Sequence, residues 1–317
     1  MHSVSLKKQH RGSRRRGSIA RIVVYSTLVF VILPIFLALY LPGIQRAREV
    51  SRREKALHQM KQIGSGLKQY YDIFNAYPPS ATVAVSWVQK EDHSASEPQK
   101  SQGDYERDRR EAAIAEQHPE QFDSFISFVQ ATMVSHQTVP HKIADQELIE
   151  TPYHGWMTAI LPFVDQADVY KQIDFNEPWL SPKNAKVFQH EVSQYLQPAI
   201  VQKDDSSRFV NGLGAAHHAA NSRVMKPNSP ITMRQISDGM SNTILMGEVS
   251  SAFQAWGSPD NTRDPAAGIG GAPTQFGSSN PSYVLFLFCD GSVQVMPAHT
   301  NPNVLKALAE PDDGYGF

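Results

Sequence analysis

The sequence predicts an α+β protein in which a long N-terminal helix crosses a membrane, continues beyond it and packs on an antiparallel β-sheet. Three observations carry that prediction. Residues 22 to 45 contain no charge, an apolar stripe at helical spacing follows them, and two β-prone runs near the C-terminus flank an Asp-Gly pair.

The chain opens with Lys7, Lys8, Arg11, Arg14, Arg15, Arg16 and Arg21 and no acid through residue 21. Seven of the 30 basic residues are thus spent, and the remaining 23 face 31 acids, an asymmetry that the net charge of −1 conceals. The run from Ile22 to Gln45, "IVVYSTLVFVILPIFLALYLPGIQ", would span roughly 36 Å as a helix at ~1.5 Å per residue, enough for a hydrocarbon layer of ~30 Å. A core helix of this length is seldom apolar on every face. A cleaved secretory signal has a shorter apolar centre and an A-x-A site, and neither is present. The run therefore reads as a retained single-pass anchor.

Orientation follows from the flanks. Arg46, Arg48, Arg52, Arg53 and Lys55 come after the run, so seven bases before it outweigh five behind it. This places the N-terminus in the cytoplasm and the acid-rich remainder outside the cytoplasmic (inner) membrane. The predicted partner of the basic segment is the lipid bilayer, not nucleic acid.

Beyond the anchor, residues 46–79 continue the helix. Val50, Leu57, Met60, Gly64, Leu67, Tyr71 and Phe74 form a stripe. It suits packing on the chain's own domain, and a coiled coil with a partner would show the same pattern. Asn75 suits a C-cap, and Pro78-Pro79 cannot continue a helix. Residues 80–150 form a charged insertion or linker, with fourteen charged residues between 89 and 120. Within it Phe122, Phe125, Phe128 and Val129 predict a short packed helix.

The C-terminal domain is predicted over 151–317. Trp156, Ile160, Phe163, Val164 and Tyr170 fit a helix interrupted at Pro162, and "PWLSPKNAKVFQHEVSQYL" reads as a turn followed by another helix. Ser237-Asp238-Gly239 is a turn, and Thr243 to Val249 a strand. Val284 to Phe288 is apolar on both faces and should lie centrally, covered on one side by the long helix. Asp290-Gly291 is a favoured two-residue hairpin turn with φ > 0 at both positions, returning through Ser292 to Met296 with Val293 and Val295 inward.

Little in the chain points to chemistry. One cysteine excludes an internal disulfide and any C-x-x-C site. His217-His218 point to opposite faces if extended and make a poor chelating pair. "GMSNT" lacks the second glycine of a nucleophile elbow, so Ser241 reads as a turn residue. Cys289, at the end of a greasy strand, should be a buried thiol with a raised pKa. No phosphate-binding loop is present. No catalytic residue, cofactor or metal is assigned.

Five blocks, in order, resemble a large bacterial family of pilin-like (type II secretion pseudopilin-like) proteins of unknown function. That family has a prepilin-type N-terminus and a C-terminal motif of His, nine residues and Asp-Gly. The blocks are "LPGIQRAREVSRR", "KQIGSGLKQYYDIFNAYPPS", "GWMTAILPFVDQADVYKQIDFNEPWLSPKN", "ISDGMSNTILMGEV" and "FGSSNPSYVLFLFCDGSVQVM". The resemblance implies a pilin-like domain and marks Asp238, Gly239, Asn242, Asp290 and Gly291 as motif positions, with Asn280 where the family has His. It also implies departures. The family's cleavage motif is Gly-Phe-Thr-Leu-Ile-Glu, but Gly17 is followed here by Ser18, with Ile22 at the fifth mature position. Counting back from Pro42 instead puts the cut after Ala20 and Tyr25 at the fifth position. Ala56 stands where many relatives have Cys. A permanently anchored monomer or loose oligomer is expected, not a processed subunit.

The expected function is structural or protein-interaction type, with other envelope or pilin-like proteins as partners. An alternative is an extracytoplasmic module that binds a glycan, peptide or envelope protein through loops 204–230 and 253–282 around Trp256. A membrane-anchored hydrolase would need Cys289 or Ser241 beside a histidine.

Overall fold

The computed structural model describes residues 21, 24–89 and 146–314. The basic segment before Arg21, the first anchor residues Ile22 and Val23, and the helix expected around Phe122 to Val129 lie outside the described residues. The chain divides into two compact units, residues 1–54 and 55–317.

In the first unit a π-helical turn, Leu28–Ile32, precedes helix α1, Leu33–Phe74. The uncharged run is divided at that turn, and α1 reaches Arg46 after thirteen uncharged residues. Among the described residues no helix is long and apolar enough to cross a membrane. The anchor expected from Ile22 to Gln45 is therefore not one continuous α-helix. Val24, Tyr25, Leu28, Val29 and Phe30 are each at least half exposed.

In the second unit α1 buries Ala56, Met60, Ile63, Leu67 and Tyr70. The predicted stripe is thus rotated: Met60, Gly64 and Leu67 face the core as expected. Val50 is exposed, and Leu57, Tyr71 and Phe74 are only half-buried. Burial of each large aliphatic here stabilises by about 1.5–3 kcal/mol. The helix stops at Asn75, which adopts φ 56° and donates its N–H to the Tyr71 carbonyl at 2.7 Å. Asparagine tolerates this left-handed C-cap.

The charged stretch is entered and left through paired strands, β1 (Ala81–Gln89) and β2 (Gln146–Gly155), an antiparallel ribbon with a bulge at Thr82/Val83. Described structure resumes after the charged stretch as strand, from Gln146. Two short helices follow, α2 (Trp156–Ala159) and α3 (Ala167–Tyr170), with a 3₁₀ turn at Leu161–Phe163 between them. Pro162 sits within that 3₁₀ turn, where the predicted interruption falls. The helix expected after Pro178 is replaced by 3₁₀ turns at Val187–Gln189 and Ser193–Tyr195, followed by the short α4 (Pro198–Lys203). Pro198 opens α4, so a helix from the preceding segment cannot run on into it.

Next come β3 (Phe209–Val210), β4 (Leu213–Ala216), β5 (His218–Asn221), β6 (Ile244–Glu248), β7 (Gln254–Ala255), β8 (Thr262–Arg263), β9 (Tyr283–Phe288) and β10 (Val293–Pro297). Strands β3, β4 and β7 form a small sheet, and the main sheet runs β10-β9-β6-β5-β8. Its pairs are antiparallel except β5 with β8, which pair in parallel, so the predicted antiparallel sheet is mixed at one edge.

Strand β9 explains the architecture. Leu285, Leu287 and Cys289 join the core shared with α1, while Val284, Phe286 and Phe288 join a second cluster with Leu305 and Leu308. α1 comes so close that a Cβ on Gly64 would stand 2.7 Å from a Leu287 methyl. The opposite face is covered by α5, Pro302–Ala309, capped by the Asn301 carboxamide oxygen, which accepts from the Asn303 N–H at 2.9 Å. A bulge between Ile244 and Met246 lets Leu245 and Met246 both enter the α1-side core.

Candidate functional site

Five of the six motif positions lie at the hairpin end of β9. Gly239 adopts φ 98°, its N–H bonds the Ile236 carbonyl, and its own carbonyl accepts from Asn242 N–H and the Thr243 hydroxyl. The Asn242 carboxamide donates back to the Asp238 carbonyl at 2.9 Å. From this turn the Thr243 carbonyl accepts the Cys289 N–H at 2.9 Å, and the Met240 carbonyl accepts the Asp290 N–H at 3.0 Å. The Tyr77 hydroxyl, from the helix-exit block, donates to the Cys289 carbonyl. Helix exit, Asp-Gly turn and hairpin turn therefore meet at one latch built from backbone groups.

The hairpin differs from the predicted two-residue turn. Phe288 accepts from Gly291 N–H and its own N–H bonds Ser292, and only Gly291 has positive φ, at 85°. The loop thus holds three residues with glycine in the left-handed position, the usual alternative geometry. Asp290 is not in the left-handed region; its N–H bonds the Met240 carbonyl, and its carboxylate accepts from Ser292 N–H at 2.8 Å. Asp238 ties down the C-terminal segment. Its two carboxylate oxygens accept the N–H groups of Asp313 and Gly314 at 2.8 and 2.9 Å.

Asn280 is elsewhere. It lies at the far end of β9, where its side chain accepts from Ser282 N–H at 2.8 Å and its N–H reaches the Ser278 hydroxyl. Asn280 and the Asp-Gly turn are separated by a whole strand and cannot share one site.

That far end adjoins a buried polar cluster that sequence reasoning missed. Glu248 accepts from the Gln197 carboxamide at 2.6 Å and from Leu285 N–H at 3.0 Å, and the Ser278 hydroxyl is a further partner. Burial without a cation raises its carboxyl pKa. His218 pairs with it across the sheet. His217 accepts the Gln197 N–H at Nδ1 and lies 2.9 Å from the Ser207 carbonyl through Nε2, while His218 Nδ1 is 3.2 Å from the Tyr195 carbonyl. Burial lowers their pKa values to about 4 and about 3. Both nitrogens of His217 and Nδ1 of His218 meet backbone groups, and among the described residues no cluster of His, Cys, Asp and Glu could hold a metal ion. Glu248 stands in "MGEV", a pattern no different from an ordinary strand end, so no local signal marks it.

The remaining candidates are packing residues. Cys289 is fully buried, and burial pushes its thiol up, as predicted. Ser241 is exposed in the turn. Trp256 presents nothing to solvent. It is buried against Phe188, ring centroids 4.5 Å apart, and its indole N–H donates to the His190 carbonyl. Arg263 is also buried and donates to the carbonyls of Ser251, Ala252, Ala272 and Gln275, clamping two loops. Desolvation lowers its pKa to about 10.

A family model described as "Protein of unknown function (DUF1559)" matches residues 45–273, which leaves Asn280 and the terminal hairpin outside the matched stretch. No curated protein and no solved structure matches the chain.

Proposed function

The chain belongs to the DUF1559 family of proteins of unknown function, and from that premise we propose that it is a membrane-anchored, pilin-like envelope protein. Its work is structural or protein-interaction in kind, and no residue is assigned to catalysis. The observation that carries the anchor is the exposure of Val24, Tyr25, Leu28, Val29 and Phe30 inside an uncharged 24-residue run. An apolar surface of that length is costly in water and suits lipid. The basic residues before the run put the N-terminus in the cytoplasm and the domain outside. The pilin-like reading rests on the order of the five sequence blocks, three of which meet at the Tyr77–Thr243–Cys289 latch.

Two measurements test this. Alkaline carbonate washing should leave the full chain in the membrane pellet and release a variant lacking residues 22–45; a full chain in the supernatant rejects the anchor. The N-terminal mass should be the same with and without a co-expressed prepilin peptidase. A cut after Gly17 or Ala20 would instead assign the chain to processed assembly.

A further inference from the structure

The hairpin joining β3 to β4 turns on Asn211 and Gly212, both exposed and both left-handed, with φ 52° and 81°. Of the chain's asparagines, Asn211 alone is followed by glycine. We propose that Asn211 is a site of spontaneous covalent modification, converting to aspartate and isoaspartate through a cyclic imide.

The reaction needs a nucleophile, an electrophile and room for a five-membered ring. The nucleophile is the Gly212 backbone nitrogen, and the electrophile is Asn211 Cγ. Among the described residues neither the Gly212 N–H nor the Asn211 carboxamide is engaged in a hydrogen bond. A Cβ on Gly212 would meet nothing within 4 Å, so the space around the ring is open. The N–Cγ bond forms, the Cγ–Nδ2 bond breaks, and the side-chain nitrogen leaves as ammonia with the Gly212 proton. Water then opens the imide at Cγ, giving aspartate, or at the Asn211 backbone carbonyl, giving isoaspartate. Ring closure requires Asn211 to leave the left-handed region, and the hairpin resists this weakly, because β3 is held to β4 through Phe209 with Gly214 and Val210 with Leu213 alone. Loop tips on short pairings open at low free-energy cost.

Two other left-handed asparagines lack this combination. Asn228 is fixed by Val83, whose N–H and carbonyl engage its carboxamide at 2.7 Å each, and Ser229 follows it. Asn75 is followed by the buried Ala76. In both cases a Cβ on the next residue crowds the attacking nitrogen. At Asn211 the isoaspartate product adds one backbone carbon to the turn and leaves a carboxylate at its tip. A two-residue loop with both residues left-handed cannot then close, so β3 should part from β4, while β4 keeps its pairing with β7. The hairpin lies in the unit 55–317, so this inference is independent of the membrane anchor.

The test holds the full chain in neutral detergent at mildly alkaline pH and follows each asparagine by peptide fragmentation mass. Asn211 should gain one mass unit while Asn75 and Asn228 stay unchanged. The peptide carrying Asn211 should also accept a methyl group from S-adenosylmethionine when an isoaspartyl carboxyl methyltransferase is added. The methyl must be located on that peptide, because Asp238, Asp290 and Asp313 also precede glycine and can isomerise without a change of mass. Asn211→Gln, which would need a six-membered ring, should lose both signals. An Asn211 that keeps its mass overturns the proposal. So does aspartate without isoaspartate, which would be direct hydrolysis of the side chain, or a gain at Asn75 or Asn228 as fast as at Asn211.

Discussion

The two ends of β9 solve the same problem, fastening a central strand to its neighbours, with different chemistry. At the hairpin end the fasteners are backbone groups: Thr243 and Met240 carbonyls hold Cys289 and Asp290, and Tyr77 adds a hydroxyl. At the other end the fastener is a buried carboxylate: Glu248 accepts the Leu285 N–H and is linked through Gln197 to the buried ring of His217. All the motif positions but Asn280 gather at the hairpin end. The buried groups whose pKa values burial shifts, Glu248, His217 and His218, stand beside the other end.

The largest expected effect comes from the two histidines beside that second end together with His154, a third buried ring, on β2. His154, His217 and His218 are buried as neutral rings, with pKa values lowered from 6.5 to about 4, 4 and 3, chiefly by desolvation. Lowered folded values mean that their stabilising contribution is complete above pH 6.5 and is lost as pH falls from 6.5 toward 4. Each ring then costs on the order of 1.4 kcal/mol per pH unit across that window. Glu248 acts with the opposite sign, because its raised pKa makes the folded state gain as pH falls. Three rings outweigh one carboxyl, so the urea midpoint of the full chain in detergent should fall steeply between pH 6.5 and 4.5. A flat midpoint over that range would mean that the rings are solvated or ionised at neutral pH.

Next in size is Glu248→Ala. It strands the Gln197 amide and the Leu285 N–H in a dry interior and opens a small void, at a cost of about 3 kcal/mol. It should also remove the opposing slope, making acid unfolding steeper. If the midpoint moved by less than a third of that, the cluster would have to be wetter than its burial implies.

How far these features could be read in advance differs along the same strand. The hairpin was legible because its signals are local: an apolar run, Asp-Gly, then alternation. Its turn length was not, since the choice between two and three residues is made by Met240, which captures the Asp290 N–H from 50 residues away. The stripe on α1 was legible in kind but not in phase. Met60 and Leu67 belong to two overlapping sets, and the packing of β9 against Gly64 selects the one with Ile63 and Tyr70. Helix α5 went unread although Asn301-Pro302 is a start signal of the usual kind. The Glu248 cluster had no local signal at all, because its partners Gln197 and Ser278 stand 51 and 30 residues away in the chain.

The smallest effects belong to the hairpin end, and they separate what braces the latch from what merely decorates it. Tyr77→Phe keeps the ring, which stays packed against Tyr71 with centroids 4.9 Å apart, and deletes only the hydroxyl that reaches the buried Cys289 carbonyl. The cost should be about 1 kcal/mol, one net hydrogen bond. Asp290→Ala, by contrast, removes an exposed carboxylate whose single described role is to accept the Ser292 N–H, a donor that water can serve. It should cost less than about 0.5 kcal/mol, the range of ordinary surface substitutions. Measured side by side by urea unfolding, the two should rank Tyr77 above Asp290. The reverse ranking would show that the motif aspartate holds more than its own turn, and that the latch depends on it rather than on the helix exit.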